Sequence, residues 1–155
     1  MKEYLIKLFN YNDWANRKLL EIIKQLPDKE DAIKLFSHLI TSQDKWLNRV
    51  TRQTDDNSYH WFGQIFPIES IEKNWLESFQ KWADTLQSAS ESDLNNNIVF
   101  VRVTDKKEMK VKLKDIILQL NYHSIHHRAQ INKLISQQGL TPPPTDYILT
   151  AIEEV

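Results

Sequence analysis

The sequence predicts an all-α fold: a helical bundle that carries one small β-hairpin before its last long helix and ends in a short C-terminal helix. Three observations support this. Apolar residues recur at three- and four-residue spacing over most of the 155 residues, as one face of an α-helix requires. Only two glycines occur, Gly63 and Gly139, to interrupt that pattern. Between Asn97 and Leu113 the period changes to a β-branched, partly alternating one, the signature of a short strand pair.

In the first segment Leu5, Leu8, Ala15, Leu19, Ile22 and Leu26 follow one helix face, and Pro27 ends it. Asn12 falls on that stripe. A buried amide needs partners, so Asn12 either hydrogen-bonds within the core or orients a functional side chain. A second helix spans about Lys29 to Arg52, with Ala32, Phe36, Leu39, Gln43, Leu47 and Val50 along its main face. "TDDNSYHWFGQIFP" reads as a loop. The third helix begins near Pro67, with Ile68, Ile71, Trp75, Phe79, Trp82 and Leu86 as its stripe.

"NIVFVRV" and "EMKVKL", separated by "TDKK", form the hairpin. Lys110, Lys112 and Lys114 share a side there, which reads as a solvated face that protects a strand edge rather than as an anion patch. The last long helix spans about Leu113 to Gln138 and stops at Gly139. After "TPPPT", the segment "DYILTAIEEV" is expected to form the closing helix, with Thr145 as its N-cap. There is no repeat, low-complexity tract or composition break, so residues 1–155 are expected to be one domain.

Composition narrows the function. A net charge of −1, from 20 basic and 21 acidic residues, gives no reason to expect a nucleic-acid or anionic-membrane partner. The absence of cysteine excludes disulfides, thiolate ligands and a cysteine nucleophile. The amphipathic N-terminus lacks the apolar run of a signal peptide, and no stretch approaches the ~18 apolar residues of a membrane span. A soluble cytoplasmic protein is expected.

Three of the five histidines crowd into "NYHSIHHRAQ". On a wheel of ~100° per residue, His123 and His127 share the face of Ile116, Leu120, Ile131 and Leu134, while His126 lies on a flank. An i, i+4 pair stacks two imidazoles ~6 Å apart along the axis, within reach of one metal ion. The other reading is two hydrogen-bonded core histidines. Ser124 stands where HExxH requires Glu, and no Glu-x-x-His occurs, so zincin and di-iron sites are excluded. A third ligand would have to come from His38 or His60, and the wheel does not choose between them.

"YNDWANRKLLE", "SHLITSQDKWL" and "HSIHHRAQI" together resemble the DinB/YfiT-like family of metal-dependent enzymes. The resemblance spans nearly the whole chain, including the hairpin and the proline-rich tail. It implies a four-helix bundle with unusual connections, holding one divalent transition metal, usually nickel or zinc. Carried over residue by residue, it makes His38, His123 and His127 the ligands. It also implies a homodimer. Some members of the family add low-molecular-weight thiols such as bacillithiol to electrophiles, or use mycothiol in isomerisation.

Three imidazoles leave at least one coordination position for water or substrate, as catalytic sites do. With no cysteine in the chain, any sulfur would arrive on a cosubstrate. Asn12, Asn16, Asp44 and Gln130 are candidates to orient the ligating rings. His126 is expected to hydrogen-bond rather than ligate, and Arg128 to pair with an acidic residue or bind a substrate anion. Trp46, Tyr59, His60, Trp61 and Phe62 are candidates to wall a pocket. Two functions stay open: a metal-dependent enzyme that uses a small thiol and an electrophilic substrate, and a non-catalytic metal-binding stress-response protein.

Overall fold

The computed structural model describes residues 1–52, 61–102 and 104–154. Four α-helices lie among them: α1 (Lys2–Ile23), α2 (Glu30–Arg52), α3 (Ile68–Ser88) and α4 (Leu113–Gln137). Strands β1 (Asn97–Val101) and β2 (Glu108–Lys112) precede α4, paired antiparallel from Asn97 opposite Lys112 to Val101 opposite Glu108. The expected all-α bundle with one hairpin is present.

Each helix packs mainly on two others: α1 on α3 and α4, and α2 on α3 and α4. Helices consecutive in the chain, α1 and α2 or α3 and α4, therefore sit across the bundle diagonals. Leu5 and Phe9 share one core cluster with Leu113, Ile116 and Leu120, while Leu19 and Ile23 share another with Ile131 and Ile135. Helices α1 and α4 therefore run parallel. Trp46 and Leu120 line one cavity near one end of α2, and Leu35 and Leu134 line another near the other, so α2 and α4 run antiparallel.

α1 ends earlier than the periodicity suggests. Its last turns tighten through Gln25 N–H to the Ile22 carbonyl (2.9 Å) and Leu26 N–H to the Ile23 carbonyl (3.2 Å). Leu26 thus lies past the helix yet is fully buried. Of the predicted stripe Leu5, Ala15 and Leu19 are buried while Leu8 and Ile22 are half-buried, and Phe9, Asn12, Asn16, Leu20 and Ile23 widen the buried face. Pro67 occupies the N-cap of α3, where its missing N–H costs nothing. Ile71, Trp75, Trp82 and Leu86 are buried as predicted.

α4 ends in a Schellman motif: Gly139 N–H donates to the Ser136 carbonyl (3.1 Å) and Leu140 N–H to the Ile135 carbonyl (3.2 Å). Gly139 takes φ +81°, a conformation that disfavours side chains. Among the described residues of the hairpin only Ile98 is buried, and Lys110 and Lys112 are exposed, a solvated face. The expected short closing helix is a 3₁₀ helix, Tyr147–Thr150, with Asp146 rather than Thr145 at its N-cap. It buries none of its residues, and so short a segment with no apolar face against the core cannot sustain an α-helix. Thr145 instead accepts a hydrogen bond at its carbonyl from the Tyr11 hydroxyl (2.8 Å). No helix among the described residues is long and apolar enough to cross a membrane.

Candidate metal centre

The two apolar clusters occupy opposite ends of the bundle. Buried polar side chains of α1, α2 and α4 lie between them: Asn12, Asn16, His38, Asn121, Ser124, His127 and Arg128. This level holds the candidate site.

His38 on α2 meets His123 and His127 on α4. His123 Nε2 lies 3.1 Å from His38 Nε2 and 3.0 Å from His127 Nε2. One candidate ligand atom from each ring falls within 4.8 Å of the others. At metal–nitrogen bonds of 2.0–2.1 Å, adjacent ligand nitrogens stand about 2.8–3.4 Å apart, so both close contacts fit a shared ion. Protons account for the pair of contacts less well, since an N–H at His123 Nε2 points at one neighbour and leaves the other facing it without a donor.

The outer nitrogens fix the orientation of two rings. His38 Nδ1 lies 2.5 Å from the Trp61 carbonyl, and His127 Nδ1 lies 2.6 Å from Gln130 Oε1. Both oxygens accept, so each Nδ1 carries its proton and each Nε2 turns its lone pair inward. Phe62 stacks flat on His38, with centroids 3.9 Å apart and planes at 7°. Burial lowers the pKa of all three imidazoles. For His123, burial and then repulsion from His127, His38 and His126 bring it to about 4. These rings are therefore neutral, the state in which histidine ligates.

The other predicted residues divide. Gln130 holds His127. Trp46 and Trp61 line a cavity beside His38 and His123. His126 is exposed, edge-on to His127 at 5.0 Å. Asp44 faces α3, where it accepts from Ser78 Oγ (2.6 Å), so it does not orient a histidine. Asn12 and Asn16 hydrogen-bond elsewhere than to the histidines: Asn12 Oδ1 accepts from Arg128 Nη1 (2.8 Å) and from Asn16 Nδ2 (3.0 Å), and Asn16 also donates to Ser124 Oγ (2.8 Å). Tyr59 and His60 lie outside the described residues.

Arg128 departs from expectation. It is buried, with no carboxylate partner among the described residues, and is held by Asn12, by Ser124 Oγ (3.3 Å) and by the Tyr11 hydroxyl (3.2 Å). Its guanidinium therefore sits among neutral oxygens of α1 and α4. The buried stripe of α4 accordingly centres on Asn121, Ser124 and Arg128, and His123 stands at its edge, half-buried.

Sequence reasoning passed over Tyr11, Ser124, Ser42 and Gln119. Ser42 follows His38 by one helical turn, Gln119 precedes His123 by one, and both line the cavity. Searching one turn either side of each candidate ligand would have found them.

Comparison with known proteins agrees with this geometry. Residues 1–154 match the DinB family. The chain is 23% identical to "Protein DinB" of Bacillus subtilis (strain 168), in an alignment covering 95% of this chain and 93% of that protein. A family match over nearly the full length, on a helical bundle that gathers three histidines at its middle, establishes that the chain belongs to the DinB family.

Proposed function

We propose that the chain is a metal-dependent enzyme that joins a small thiol to an electrophilic substrate. In this reading His38, His123 and His127 hold one divalent transition ion, nickel or zinc. The observation that carries it is the convergence of three neutral imidazoles beside an open cavity. A site for storage alone has no need of that cavity.

A bound ion would act as a Lewis acid, lowering the pKa of a bound water or thiol or polarising a carbonyl. The protein's own groups prepare for that role. The Trp61 carbonyl and Gln130 hold two Nδ1 protons, so that both Nε2 lone pairs stay available. Burial keeps the rings free of protons. The apolar cavity wall keeps bulk water from the nitrogens on one side. Because the chain has no cysteine, the nucleophilic sulfur belongs to the cosubstrate. The same reading assigns a cytoplasmic location and, from family resemblance, a homodimer.

The first experiment is elemental analysis of untagged protein beside His123→Ala prepared identically. The expected result is close to one equivalent of transition metal in the native protein and loss of it in the variant. Turnover assays with small thiols and electrophiles follow. Native protein that holds no metal and gains no thermal stability from added nickel or zinc refutes the metal site. Metal retention without turnover of any thiol–electrophile pair favours a non-catalytic metal protein.

A further inference from the structure

Two helical rows face each other across the cavity beside the histidines. On α2, His38, Ser42 and Trp46 follow at four-residue steps; on α4, Gln119 precedes His123 by the same step. Each step advances ~6 Å along the helix. The cavity, of about 360 Å³, thus runs from the histidine nitrogens past Ser42 to an indole ring some two turns away. Its volume suits a small molecule.

The wall has a definite chemistry. Trp61, Phe62 and Leu120 complete it, and among the described residues no Asp, Glu, Lys or Arg lines it. The indoles are braced from elsewhere: the Arg49 guanidinium packs 4.5 Å from the Trp46 ring centroid, and Lys45 Nζ lies 4.5 Å from that of Trp61. Phe100 meets Trp46 edge-on at 5.4 Å. Such rings form a flat, preorganised apolar surface.

We propose that this cavity binds the electrophilic substrate, an elongated, uncharged small molecule with an aromatic tail. Its polar reactive head lies at His38 and His123. The flat tail lies against Trp46 and Trp61, which makes Trp46 the specificity-determining residue. The placement of the head rests on the metal reading above, whereas the tail rests on the cavity itself.

Calorimetric titration of nickel-loaded protein with two probes, acetohydroxamate and 4-phenylbutyrohydroxamate, tests the proposal. The phenyl tail should tighten binding by about tenfold or more. A carboxylate in place of the phenyl ring should abolish the gain. Trp46→Ala should lose the gain. Equal affinity for all three tails on native protein, a measurement that needs no variant, overturns the proposal, as does a gain that survives Trp46→Ala. Neutral, non-chelating 4-phenylbutyramide, followed by tryptophan fluorescence on metal-free protein, separates the two readings. If it binds and acetohydroxamate does not, the cavity stands and the metal reading falls. If hydroxamates bind regardless of tail, the metal stands and this proposal falls.

Discussion

Replacing Asn12 by alanine removes a side-chain amide that accepts from the buried Arg128. Asn12 is 1% exposed, and its Oδ1 accepts from Arg128 Nη1 at 2.8 Å and from Asn16 Nδ2 at 3.0 Å. Asn16 Nδ2 retains the Asn12 carbonyl (2.9 Å) and Ser124 Oγ (2.8 Å), so this donor stays satisfied. Arg128 Nη1 retains only the long bond to Ser124 at 3.3 Å. Loss of a hydrogen bond to a buried charge costs about 1.5–3 kcal/mol. The void left by the amide adds about 1 kcal/mol. The expected loss is therefore about 2–4 kcal/mol, or a Tm lower by about 5–15 °C for a chain of this length.

The assay is urea unfolding in the presence of chelator, so that metal linkage plays no part, with Arg128→Met and the double variant completing a cycle. The double variant should be less destabilised than the sum of the singles by about 1 kcal/mol or more, because the orphaned charge is absent. A loss below about 0.5 kcal/mol for Asn12→Ala, a surface-like value, or strict additivity would refute the claim that this amide sustains a buried cation.

Three further predictions concern the site and one helix end. Gln130→Ala frees His127 Nδ1, and metal affinity measured by chelator competition should fall about 10–100-fold; unchanged affinity would show that the amide does not steer the ring. Gly139→Ala should cost about 1 kcal/mol in urea unfolding from backbone strain alone, since nothing lies within 4 Å of the added Cβ; no loss at all would contradict the left-handed cap. Finally, the depressed histidines make metal-free stability pH-dependent. Their unfolded forms titrate near 6.5 and folded His123 near about 4, so between those values the unfolded chain binds more protons. Stability should be level above pH 7 and fall from pH 6.5 towards 4, less steeply in His123→Ala. Parallel urea midpoints for the two proteins across that range would sink this account.

The helices, the hairpin and Gly139 were legible because they depend on local rules. A period of three to four, a change to alternation and a glycine just past the last apolar turn are visible in the chain. Boundaries were less so. Leu26 keeps the apolar rhythm after the helix has ended, because burial does not require helical backbone. The 3₁₀ turn at Tyr147–Thr150 carries helix-forming residues, but only the tertiary fold decides whether an apolar face finds a partner there.

The sequence by itself determined which chemistry is available: no thiol, and an i, i+4 histidine pair on one helix. It also contained the one-turn spacings that bring Ser42 and Gln119 beside the candidate ligands. It did not determine how α2 sits against α4, and therefore left open whether His38 reaches the pair, whether Asp44 faces the histidines or Ser78, and whether Arg128 meets a carboxylate or three neutral acceptors. Those outcomes depend on rotation and register between helices far apart in the chain. Packing the two apolar clusters sets both, and the polar level between them follows from that packing.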